Sequence, residues 1–126
     1  MIQGWLREDG QAVVQLELVG SDRSHHTVPA IIDTGFNGQV SLARRVVDEL
    51  NPPLTYEGTV EMELASGTVI DEDVYSGTIR FDGQEQTAEI IITDSEDTLI
   101  GTGLLTGKIL LMNFVTREVI VKDHVP

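Results

Sequence analysis

The sequence predicts a mainly β domain, a barrel or sandwich that carries one main α-helix. Three observations point there. Apolar and polar residues alternate over short segments, as in Val60, Met62 and Leu64 against Thr59, Glu61 and Glu63. Turn pairs such as Asp9-Gly10 and Asp82-Gly83 separate these segments. Residues 41–50 are the best helix, with Leu42, Val46 and Leu50 on one face.

The elements follow in order. Residues 12–19 (AVVQLELV) alternate as a strand after the Asp9-Gly10 turn. Residues 28–33 (VPAIID) make a short apolar strand that ends on an aspartate. Ser41 is placed to cap the helix at 41–50, and Pro52-Pro53 stops it. Residues 58–64 and 68–75 form a hairpin around the tip Ala65-Ser66-Gly67. A second pair, 77–82 and 86–93, turns at Asp82-Gly83, and Ile90-Ile91-Ile92 predicts a strand covered on both faces. A polar loop then leads to Leu99-Ile100-Gly101, a helical turn at 103–106, and a closing hairpin of 108–115 with 118–122. No linker, repeat or low-complexity segment interrupts this, so residues 1–126 are expected to form one domain.

Composition removes whole classes of function. The 126 residues include no cysteine, which excludes disulfides, thiolate metal sites and a cysteine nucleophile. With 21 acidic and 8 basic side chains the formal charge is -13, which opposes nucleic-acid and anionic-membrane partners. No apolar run approaches the roughly 20 residues of a membrane span. The opening MIQGWLRED lacks the basic-then-apolar layout of a secretion signal. Together these predict an independently translated, cytoplasmic globular domain. The acidic residues crowd between Glu57 and Asp97, where Arg80 is the one basic residue; their interleaving with apolar residues reads as a solvated face. His25 and His26 are adjacent on an extended chain and so point opposite ways, and Asp71-Glu72-Asp73 lacks the spacing of a calcium loop. No metal or other cofactor is expected. Neither a phosphate-binding glycine loop nor a Gly-x-Ser-x-Gly elbow is present.

The segment that carries chemistry is Ile31-Ile32-Asp33-Thr34-Gly35. An ionisable side chain closes a run of aliphatics and a Thr-Gly turn follows, which predicts a poorly solvated carboxyl. Thr34 offers a hydroxyl to neighbouring backbone, and Gly35 lets another backbone approach closely. Downstream come the hairpin 58–75 with its small tip, then Leu99-Ile100-Gly101, then Leu104-Leu105. This order resembles the retropepsin-like aspartic proteases, single-domain relatives of pepsin, over residues of about 12 to 115. Even the run Leu111-Met112-Asn113-Phe114 is similar to the end of the viral members.

The resemblance implies a closed β-barrel with one main α-helix and a flap hairpin, and an aspartic endopeptidase that cleaves peptide or protein substrates without a cofactor. The family's chemistry uses two carboxylates, and this chain has one Asp-Thr-Gly. Asp94-Ser95 continues to Glu96 and sits in a polar loop, so it does not offer a second. Activity would therefore require a homodimer in which each chain gives Asp33. The resemblance makes Asp33, Thr34 and Gly35 catalytic, with Thr34 bracing the dyad. It assigns substrate contact to Gly35, Phe36, Asn37, the flap tip Ala65, Ser66 and Gly67, and Ile100. Met62 and Val69 are further candidate walls. Two departures stand out. Asn37 and Thr102 occupy positions where viral enzymes carry an acid–base pair, and Phe36 replaces a small residue. These departures, with the small flap tip, also fit an alternative: a catalytically inactive peptide-binding or dimerisation module on the same fold. The final strand can either dimerise or fold back, and the sequence does not choose.

Overall fold

The computed structural model describes residues 1–124. Strands β1 (Ile2–Leu6), β2 (Ala12–Val19), β3 (His25–Ile32) and β4 (Val40–Ala43) precede helix α1 (Arg44–Leu50). Strands β5 (Thr55–Glu63), β6 (Val69–Phe81), β7 (Gln84–Thr93) and β8 (Thr98–Ile100) follow. Helix α2 (Thr102–Leu105) then leads to β9 (Lys108–Asn113) and β10 (Glu118–Asp123).

Six strands close into a barrel in the order β6-β7-β4-β8-β3-β2, and β2 returns to β6 through Glu17 opposite Arg80 and Leu18 opposite Ile79. Alternation along β2 decides which way it faces. Ala12, Val14, Leu16 and Leu18 point inward and join Val40, Leu42, Ile79, Phe81, Ile90 and Ile100 in one core. Each fully buried aliphatic side chain contributes about 1.5–3 kcal/mol. Two elements lie outside the ring. The β5–β6 hairpin projects as the expected flap, and β1-β10-β9 extends the sheet from the first half of β2. This is a mainly β molecule, as the strand pattern predicts, with the closed barrel that the resemblance implies.

Several boundaries differ from expectation, each for a tertiary reason. Ser41 does not cap a helix. Residues 40–43 are all buried as β4, wedged between β7 and β8, and α1 begins only at Arg44. Sheet pairing on both edges outweighs the helical spacing of Leu42 with Val46. Residues 68–75 and 77–82 are not two strands; β6 runs through Gly77 without a break. A Cβ at Gly77 would lie 2.8 Å from Ile90 Cδ1 and Leu54 Cδ2, so the glycine serves close packing rather than a turn. Of the three isoleucines in β7, Ile90 is buried while Ile91 and Ile92 are only partly covered. The Asp82-Gly83 turn holds, with φ of 52° and 76°. β1 carries no strong pattern of its own, because its pairing with β2 and β10 supplies the order.

In the single chain the C-terminal strand folds back as a hairpin. β10 folds back between β1 and β9, with Val119 opposite both Gly4 and Met112. β9 is left as a sheet edge. Arg117 Nη2 donates to the Leu6 carbonyl at 2.8 Å and pins this hairpin to the end of β1.

Candidate active site

Asp33 follows the last residue of β3, where the chain leaves the barrel. Its backbone N–H donates to Ile100 O at 2.9 Å, and its Oδ1 accepts the Gly35 N–H at 2.9 Å. The second bond points the carboxylate in a fixed direction. The expectation of a poorly solvated carboxyl is not met in the single chain. Asp33 is half-buried, and Thr34 and Gly35 are exposed, because the loop faces outward past the barrel rim.

The loop is held from the other side by the chain after β8. Thr102 N–H donates to Phe36 O at 2.8 Å, Gly103 N–H to Gly38 O at 3.1 Å, and Gly101 N–H to Gln39 O at 3.0 Å. Thr102 Oγ1 also reaches Phe36 O at 3.4 Å. Backbone bonds thus join the two segments on either side of Asn37. They require small residues. A Cβ at Gly103 would lie 2.9 Å from both Asn37 O and Gly38 O, and one at Gly101 would meet Phe36 and Gly38 backbone.

A cleft of about 520 Å³ lies between this loop and the flap. Residues 35–40 form one wall, residues 60–63 of β5 the other, and Glu89 and Ile91 of β7 the floor. The cleft brings Gly35, Phe36 and Asn37 together with Met62. The flap tip is built as a tight turn, with Gly67 N–H donating to Leu64 O at 2.8 Å and Gly67 at φ +87°. Ala65, Ser66 and Gly67 are exposed and do not line the cleft in the single chain. Val69 is 58% exposed, near the tip. Ile100 departs from expectation. Its side chain is fully buried in the core, and what it gives the site is its carbonyl to Asp33. Asp94 is 86% exposed and paired with Arg44 at 2.6 Å.

Gln39 and Glu89 also line the cleft, and no sequence pattern marks them. The parallel pairing of β4 with β7 brings them together, and Glu89 N–H donates to Gln39 Oε1 at 2.7 Å. No local signal marks such a long-range contact. Register also fixes what surrounds Asp33. β3 ends where β2 begins, β1 ends there too, and Trp5 pairs with Glu118. The turn at 114–117, with Phe114 68% and Val115 92% exposed, therefore lies at the same end of the sheet as Asp33. Among the described residues no helix is long and apolar enough to cross a membrane.

No family model and no curated protein matches the sequence. Among solved structures, the chain is similar to a retropepsin-like aspartic protease from Rickettsia conorii, with a TM-score of 0.64 and 15% identity, over 94% of this chain and 87% of that one. That likeness establishes the fold: this chain has the retropepsin-like barrel.

Proposed function

We propose that the chain is one half of a homodimeric aspartic endopeptidase, with Asp33 from each copy forming the catalytic pair. The observation that carries the proposal is Asp33 itself. It sits at the rim of the barrel, oriented by the Gly35 amide, beside a cleft roofed by a flap. One carboxylate cannot act as base and acid at once, so the site is half of a symmetric whole.

The chemistry follows from two carboxyls that share one proton. The ionised Asp33 takes a proton from a water whose oxygen attacks the peptide carbonyl carbon. The protonated partner aspartate gives its proton to the carbonyl oxygen. The tetrahedral diol then collapses: one hydroxyl returns its proton to the ionised aspartate as the C=O re-forms, the C–N bond breaks, and the nitrogen leaves with the proton held by the other aspartate. Asn37 and Gly35 lie where backbone groups meet an extended peptide, and the flap tip excludes water when it closes. Two carboxyls and a water supply every proton, so no cofactor enters.

The second copy has a surface to meet. β9 is an edge strand whose Ile109, Leu111 and Met112 are exposed, and Phe114 and Val115 continue this apolar strip toward Asp33. Unpaired edge strands with apolar side chains recruit another strand. Pairing of β9 with its symmetry mate would bring the two Asp33 loops to one axis.

The test is cleavage of a diverse peptide library by the wild-type chain and by Asp33→Asn, from acidic to neutral pH. Activity at acidic pH is expected, with inhibition by a statine-type mimic of the diol. Asp33→Asn is expected to lose it by at least about a thousandfold while keeping fold and assembly. Cleavage that survives the substitution would falsify the proposal.

A further inference from the structure

We infer that the cleft beneath the flap takes a lysine or arginine side chain of the bound peptide, with Glu89 as its counter-charge. The inference rests on the reading of this cleft as a peptide groove. It begins with the alternation of β7. Ala88 and Ile90 are each 1% exposed and point into the core, so Glu89 and Ile91 present the opposite face, which is the cleft floor. Ile91 stands opposite Ser41 of β4, and the Gln39 side chain accepts the Glu89 N–H at 2.7 Å. Both contacts tie this part of β7 to rigid sheet, so the carboxylate stands on a fixed base.

The surroundings select for a long cationic side chain. Phe36, Val60, Met62 and Ile91 supply apolar wall and floor, and Glu89 supplies negative charge; Glu61 and Glu63 touch the cleft along β5 but alternate to the face opposite Val60 and Met62. No lysine or arginine lines the cleft. Among the described residues these three carboxylates take part in no ion pair, whereas most arginines elsewhere are already paired. A lysine or arginine stem can lie along Met62 and Ile91 while its head reaches Glu89. An acidic side chain would be repelled by Glu89 and by Asp33. A short polar one would leave the apolar wall uncovered.

Binding to the uncut Asp33→Asn chain tests this without needing turnover. Fluorescent peptides that differ only in lysine against norleucine, scanned through each position, are titrated in low and high salt. At one position the lysine peptide is expected to bind about tenfold tighter, and the preference should shrink above roughly 0.1 M salt. Adding Glu89→Gln should bring the ratio close to one. Adding Glu85→Gln, a carboxylate outside the cleft that pairs with Arg23, should leave it in place. Equal affinities at every position, an unchanged ratio in Glu89→Gln, or no binding of either peptide would overturn the inference. The two proposals fail separately. Glu89-dependent binding without cleavage by the wild-type chain sinks the peptidase and keeps the subsite. Cleavage with no basic preference does the reverse.

Discussion

A side-chain carbon on Gly101 would lie 2.6 Å from the carbonyl oxygen of Phe36. The contact explains why the segment after β8 can run directly under the Asp33 loop and bond to it through four backbone amides, counting that of Asp33. It also makes the first prediction. Gly101→Ala should force the two segments apart and destabilise the fold by about 1–3 kcal/mol, as overpacking does. Gly35→Ala, whose Cβ meets only Asp33 Oδ1 at 3.2 Å, should cost less stability and disturb mainly the carboxylate. Urea unfolding of the two variants checks the order.

A second prediction concerns acid stability, through Asp82. Its side chain is 4% exposed and accepts bonds from the Met1 α-ammonium and from Lys108 Nζ. The Met1 ammonium first, then Lys108, hold its pKa below the usual carboxylate range, against the opposing effect of burial. A carboxyl with a lowered folded pKa binds fewer protons folded than unfolded. Its stabilisation is therefore complete above the unfolded value of about 3.9 and is lost as pH falls through the folded one. Asp82→Asn keeps the left-handed turn, since asparagine tolerates φ of 52°. The variant should melt lower at neutral pH and lose less on acidification below about pH 4. Thermal melts across that window show whether the two curves converge.

The sheet edge gives a third. Leu111 is 43% exposed on β9 and pairs with Ile120 on the side away from the free edge. Leu111→Lys adds a charge where a second copy is proposed to pair. It should weaken self-association by about tenfold or more, given the 1.5–3 kcal/mol of burying a leucine. Sedimentation should report a larger monomer fraction, and peptidase activity should fall with it. The charge of -13 per chain acts in the same assay, since two copies repel. Association of the unaltered chain should strengthen with added salt.

What the sequence revealed and what it hid have one physical source. The strand ending on Asp33 and the flap hairpin were legible because each is local: an aspartate closing an aliphatic run, and a two-strand alternation with a glycine tip. Ser41 misled because residues 40–43 share their spacing with the helix that follows, and only pairing with β7 and β8 decides between the two states. Ile100 misled for a related reason. Alternation alone does not say which face of β8 meets the core. Glu89 was invisible as a site residue, because its neighbour Gln39 lies fifty positions away and meets it only when the barrel closes.

The central claim is that the catalytic pair spans two chains. It is tested most directly by co-refolding wild-type chain with Asp33→Asn chain in equal amounts and measuring cleavage at fixed total concentration. If each copy contributes one aspartate and only a wild-type pair is active, random pairing leaves about a quarter of the all-wild-type rate. A residual rate of about one half would mean that each chain acts alone, and would contradict the account.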